Sequence, residues 1–284
     1  MKRKKNALLQ RNLLKFRTNR LALLGLFIIV FIILASLLAP FITTYSPTFI
    51  DASQKLQQPS QTHLFGTDRL GRDILTRLLY GGRVSIFVAL TSAVLANGIG
   101  VILGCVSGYY GGKADAVAIY ISEIFSAFPI TMLILILVGF VGQGISNLII
   151  IFALTGWTGS LRIVRSRILS LKKEAFVESC RANGIGGISI MFRHLLPNTL
   201  GPVIVNITLA TAGYVLAESG LSFLGLGVPT DIPTWGNIIN AARSLEIIKN
   251  YPMLWLAPGV AISLFVLGVN FLGDGLRDVF DPAQ

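Results

Sequence analysis

Chemistry in a protein needs groups that titrate, attack or coordinate, and this chain offers few of them at workable spacing. Its two histidines, His63 and His194, and its two cysteines, Cys105 and Cys180, are scattered along the sequence. A zinc site draws three or four His, Cys or acidic ligands together, and no such set can be picked out. Gly111-Gly112-Lys113 is the nearest approach to a phosphate-cradling loop, but an earlier glycine is missing and Ala114 stands where Ser or Thr is required. No nucleophile is spaced with a base that would activate it. Two acids, Glu123 and Glu218, fall within or near long apolar runs. Burying charge in lipid is costly, so such acids mark either an ion or solute path or a hydrogen-bonded structural position. These residues predict a chain that is not an enzyme by itself and holds no metal or cofactor of its own, with Glu218 and Glu123 as the residues to test for a path.

The informative spacing lies in SLKKEAFVESCRANGIGGISIMFRHLLPN, Ser170 to Asn198. Glu174, Glu178 and Arg181 recur at i, i+4 and i+7, along one face of a helix. Ala175, Ser179 and Ala182 make a neighbouring stripe of small side chains. Gly184 can take the left-handed conformation that stops a helix, and Pro197 breaks the chain again. A short helix with a small, charged face suits docking into a cleft on another protein, or packing on its own chain. Helical spacing leaves both open.

The elements that must position these residues follow from composition. Of 284 residues, 53% are hydrophobic and only 13% charged, whereas a soluble domain carries about a quarter charged. Mean hydropathy is +0.72. Too few ionisable groups remain to cover a water-facing surface, which excludes a soluble enzyme, and too many apolar ones for a disordered chain. The expected fold class is an all-α integral membrane protein. A crossing helix needs about 20 apolar residues, and six runs qualify: Leu21–Ile42, Val84–Val106, Ala116–Val138, Ile145–Leu161, Leu200–Leu224 and Leu254–Gly273. The chain then divides into a basic tail 1–20, a first transmembrane helix 21–43, an extracytoplasmic loop 44–83, a five-helix domain 84–273 and a tail 274–284. In the loop, Leu70, Ile74 and Leu78 share one helical spacing and Arg69, Asp73 and Arg77 another, which predicts an amphipathic helix over 67–83. Gly100, Gly104 and Gly108 predict close helix contact, inside the chain or with another subunit. Trp157, Trp235 and Trp255 fall near span ends, as interfacial anchors do.

Charge sets the orientation. The net charge is +11, and 17 of the 24 Lys and Arg fall in the tails and loops on the side of the termini. Lys2, Arg3, Lys4, Lys5, Arg11, Lys15, Arg17 and Arg20 precede the first span with no acid among them. Such an end is held against anionic lipid on the cytoplasmic side, so both termini are expected inside and a nucleic-acid partner is not.

The run from Glu178 through Ser179, Cys180, Ala182 and Gly184 to Leu196-Pro197 resembles the EAA loop of binding-protein-dependent ABC importer permeases. Ser179 and Cys180 replace the two alanines of that pattern and His194 its isoleucine, while the spacing from Gly184 to Leu196-Pro197 is kept. Phe65-Gly66-Thr67-Asp68 with Gly71-Arg72-Asp73, and Gly220-Leu221-Ser222-Phe223-Leu224-Gly225-Leu226-Gly227 followed by Pro233, Trp235 and Gly236, resemble the dipeptide/oligopeptide/nickel branch. The ending Asn270-Phe271-Leu272-Gly273-Asp274-Gly275-Leu276-Arg277-Asp278, then Asp281-Pro282, is similar to the C-type member of that branch's permease pair. The resemblance implies a type I ABC importer permease fold of six helices, with a cytoplasmic coupling helix between the fourth and fifth. It implies a second homologous permease as heterodimer partner, two ATP-binding subunits that carry the ATP and Mg, and an extracytoplasmic solute-binding protein. It places the chain in a bacterial or archaeal cell membrane. Glu174, Ala175, Glu178, Ser179, Cys180, Ala182, Gly184, Leu196 and Pro197 would form the ATPase-docking loop. Di- or oligopeptide is the first solute, with nickel or a metallophore as the alternative within the family. An ion-coupled secondary transporter is the reading from another class. It would need intramembrane ion ligands at repeated halves, and the sequence offers only the two acids.

Overall fold

The computed structural model describes residues 15–280. The basic stretch from Lys2 to Arg11 and the closing Asp281-Pro282 lie outside the described residues. Helices make up most of the described chain, among them α1 (Arg20–Leu37), α2 (Ile74–Tyr110), α3 (Gly112–Ala127), α4 (Ile130–Val141), α5 (Ile145–Thr155), α6 (Thr158–Leu171), α7 (Ala175–Ala182), α8 (Leu200–Leu224), α9 (Trp235–Asn240) and α10 (Met253–Phe280). Five spans are long and apolar enough to cross a membrane, with α5 and α6 counted as one, and the bent pair α3–α4 supplies a sixth. Side chains such as Phe27, Phe31, Phe41 and Phe140 stand exposed on the outside of this bundle, as a lipid solvent allows.

The α2–α6 seam organises the bundle. A methyl group placed on Gly100 would come within 2.4 Å of the Trp157 carbonyl oxygen, and one on Gly104 within 2.7 Å of that of Leu161. On Gly108 it would lie 3.0 Å from the Arg165 carbonyl oxygen. The glycine repeat is therefore a contact inside this chain. Lipid supplies no hydrophobic drive between helices, so close van der Waals approach must hold them. On the other side of α2, α8 packs between it and α10, and α10 in turn meets α1 where Gly25 and Gly268 face each other.

Five expectations need correction. The amphipathic helix over 67–83 does not form as a separate element: residues 67–73 make a turn closed by a Thr67–Asp73 bridge, and 74–83 are the first turns of α2. At 37 residues α2 is about 55 Å long, beyond the roughly 30 Å hydrocarbon core, so its first turns project from the membrane. The third span is broken at Phe128-Pro129, where α3 and α4 meet at 89°. Proline forces its predecessor out of the helical region, and Phe128 is extended at φ −97°, ψ 141°. The fourth span does not end at Leu161. Helix resumes after Gly156 and runs to Leu171, because Leu161, Val164 and Ile168 keep a buried helical stripe through the arginines. Helix α10 likewise continues through the expected tail to Phe280. Two of the three tryptophans are core residues: Trp157 and Trp235 are buried, and Trp235 Nε1 donates to the Leu78 carbonyl at 3.1 Å.

Replacing Gly104 by Leu forces α2 and α6 apart. We expect a loss of about 1–3 kcal/mol, as for other overpacked contacts, read as a lower melting point of the full chain in detergent. Gly98→Leu on the same helix, where an added methyl meets nothing within 4 Å, should change it little.

Candidate functional site

Two built features stand at opposite ends of the bundle. At the end where α6 stops, Lys172 and Lys173 turn the chain and Glu174 takes an extended conformation ahead of α7. Within α7 only Val177 is fully buried, in a cluster with Cys105, Val164, Ile168, Ile190, Met191, Leu195 and Val203. Glu174, Ala175, Glu178, Ser179, Ala182 and Gly184 are exposed and Cys180 is half-buried. The stop is made at Gly184, with φ +70°. Its N–H donates to the Arg181 carbonyl at 2.9 Å, and that of Ile185 to the Cys180 carbonyl at 3.1 Å. The chain then runs through a π-helical turn, Ile190–Leu195, to a half-buried Leu196 and an exposed Pro197 before α8.

Tyr109, at the end of α2, ties this segment down. The Lys172 ammonium donates to its carbonyl at 2.6 Å, and the Arg181 guanidinium lies 5.8 Å from its ring centroid. Sequence reasoning missed Tyr109 and Val177. The apolar pair Phe176-Val177 in EAFVESC was the available signal, and only burial shows that Val177 is the one that seats the helix; nothing local pointed to Tyr109. Exposed Phe176, Ile188 and Phe192 add apolar area around the charged face. The arrangement offers a mostly exposed helix seated by one side chain on the ends of α2, α6 and α8.

At the other end, buried polar groups close the structure. The Glu218 carboxyl is wholly buried and accepts from Ser85 Oγ at 2.9 Å and Ser222 Oγ at 2.8 Å. Ser85 Oγ also accepts from the Trp235 N–H at 3.2 Å, at the start of α9. Held this way, Glu218 is fully enclosed by its own chain. Glu123 is exposed on α3, apart from Glu218. Nearer the surface, Asp68 accepts from Arg72 Nε at 2.7 Å and from the N–H groups of Leu70 and Arg72. Buried Arg77 donates to the carbonyls of Pro47 and Thr230, which pins the loop 44–73 and the segment before α9 to the top of α2. His63 is also buried here, 2.9 Å from Asp73, whose second oxygen caps α2 at the Thr76 N–H.

Comparison with known proteins decides what this architecture is. The model of the binding-protein-dependent transport system inner membrane component matches residues 100–284, and that of the N-terminal transmembrane domain of oligopeptide transport permease C matches 7–59. The chain belongs to the binding-protein-dependent permease family. It is 41% identical to a protein named a peptide permease in Brucella suis biovar 1, over 94% of this chain and 89% of that one. It is 40% identical to the dipeptide transport system permease protein of Alkalihalophilus pseudofirmus, over 94% and 88%, and 38% identical to the oligopeptide transport system permease protein of Bacillus subtilis, over 95% and 88%.

In this permease the stretches that carried the resemblance have distinct physical duties. The 65–73 motif supplies Asp68 and Arg72 of a clasp that Arg77 completes from α2, and the 220–236 motif supplies Ser222 and the approach of α9 to Glu218. Both are architecture, which a motif match alone does not reveal. Glu218→Leu should strip the acceptor from Ser85 and Ser222 and cost about 1–3 kcal/mol, the penalty for buried donors left unmade. Glu218→Gln, which keeps an acceptor oxygen, should lose clearly less. Thermal unfolding of the full chain in detergent reads both, and equal losses would rule out these hydrogen bonds as the source.

Proposed function

We propose that this chain is one permease of a multi-subunit peptide importer, and that α7 is its coupling helix. The observation that carries the reading is the exposed α7, held at Val177 and ended by Gly184 between the fourth and fifth spans. The names of the relatives favour di- or oligopeptide over nickel as the solute. A homologous second permease completes the pathway, two ATP-binding subunits each receive one permease's coupling helix, and a solute-binding protein docks on the loop 44–83. ATP and Mg belong to the partner ATPases. The basic tail 1–20 and the 274–284 end lie in the cytoplasm, with α7, and the protein sits in the cell membrane.

The mechanism is mechanical linkage. A ligand shifts an equilibrium only through its differential affinity for the two states, so closure of the ATPase dimer on ATP must favour the outward-open arrangement. Force enters at the exposed face of Glu174, Glu178 and Arg181 and passes through Val177 into α2, α6 and α8. Loaded binding protein, acting at the far end, must by the same linkage alter the affinity for ATP.

Gly184→Val places a β-branched residue in a left-handed conformation that costs about 1–2 kcal/mol and turns the helix stop away from its seat. Peptide uptake by cells should fall to background while the protein stays in the membrane. Glu123→Gln, on an exposed face remote from the coupling helix in sequence, should leave uptake near the parent level. Transport in vesicles that lack every ATPase subunit would overturn the importer reading.

A further inference from the structure

The end of the molecule that carries α7 also holds an open cavity of about 600 Å³ between α6, α8 and α10. Arg162 and Arg167 reach it from α6, Arg277 from α10, and Asn206 from α8. Its other wall is apolar, with Leu209 and Phe280. The arginines are placed for something other than internal pairing. Arg165, on the opposite side of α6, is the one committed to an acid, at 2.5 Å and 2.6 Å from the Asp115 oxygens. Arg162 donates to the Ser126 hydroxyl at 3.0 Å, and Asp278, beside Arg277, accepts from Asn19 on the far side of α10 at 3.2 Å. Among the described residues none of the three cavity arginines makes a salt bridge.

Three guanidinium groups facing a half-apolar cleft at the ends of spanning helices match one kind of molecule. Basic pockets between transmembrane helices take anionic lipid headgroups, and guanidinium forks suit phosphate oxygens in particular. A small free anion has no use for the Leu209–Phe280 wall, whereas the glycerol and upper acyl carbons of a lipid do. We propose that this cleft holds the phosphate headgroup of an anionic phospholipid from the leaflet on the α7 side. The lipid would bridge the helix that enters the coupling loop, α6, and the one that leaves it, α8. The inference needs only that the helices span a membrane, so it stands apart from the solute and the ATPases.

Native mass spectrometry of the detergent-purified full chain, titrated with phosphatidylglycerol or phosphatidylcholine, tests it. We expect phosphatidylglycerol to be retained well above phosphatidylcholine. R162Q/R167Q/R277Q should weaken it by about fivefold per arginine, on the order of a hundredfold together, from the usual contribution of a basic residue near an anionic surface. The corresponding triple lysine variant, which keeps the charge but loses the planar fork, should bind between the parent and the glutamine variant. Arg277→Gln alone, at the exposed end of α10, should give about a fivefold loss and carries the test if the triple variant does not fold. Equal retention of the two lipids, unchanged affinity in the glutamine variants, or displacement of the lipid by millimolar inorganic phosphate would each overturn the proposal.

Discussion

Backbone-to-backbone contact along α2 and α6 is the constraint on which the rest of this structure depends. Hydrocarbon solvates a leucine as well as a neighbouring helix does, so the helices gain by approach only when side chains stand out of the way. Gly100, Gly104 and Gly108 clear that space, and the carbonyls of Trp157, Leu161 and Arg165 fill it. Because the seam runs to the end of α2, the cluster around Val177 forms directly on it, from Cys105 on one helix and Val164 and Ile168 on the other. Helix α7 therefore rests on a closely packed seam of the bundle. A loosely packed pair of helices would yield under load and transmit little.

The opposite end is closed by a different force. There the chain reverses through long irregular segments whose backbone polar groups need partners, since unpaired groups out of water are costly. Charged side chains supply them: Asp68 takes three donors, Arg77 gives to two carbonyls from distant loops, and Glu218 gathers hydroxyls from α2 and α8. Packing by small residues holds one end and saturated polar groups hold the other. The bent α3–α4 pair, broken at Pro129, belongs to neither and touches the bundle less extensively.

How much of this the sequence disclosed depends on how local each cause is. The fifth span was legible to the residue as Leu200–Leu224, because Pro197 precedes it and Gly225 ends it in the left-handed conformation. The stop of α7 was legible in the same way at Gly184, but its start was not: the spacing put Glu174 on the helix face, whereas it is extended and precedes the first turn. Averaged hydropathy hid the break at Phe128-Pro129, since apolar residues continue on both sides. It also truncated α6 at Arg162, although the buried stripe of Leu161, Val164 and Ile168 was present in the spacing. The function of Arg77 could not be read, because the carbonyls it meets, Pro47 and Thr230, lie 30 and 153 residues away. Glu218 shows the limit most clearly: nothing in the sequence beside it announces that Ser85, 133 residues away on α2, donates to it.

The strength of α7's seat bears on whether a helix so short can act as a lever. Eight residues span about 12 Å, and full burial of Val177 is worth about 1.5–3 kcal/mol. Coupling free energies between distant sites run about 1–3 kcal/mol, so a single valine would be a marginal anchor for the proposed transmission. The structure adds to it at both ends of the helix. Lys172 is bonded to the backbone of α2 just before α7, and Arg181 lies over the Tyr109 ring near its close. Gly187 then packs its backbone on the same ring. With three attachments converging on one tyrosine at the tip of α2, a push on the exposed face cannot rotate α7 about Val177 alone. It must carry the end of α2 with it, and through the glycine seam α6 as well.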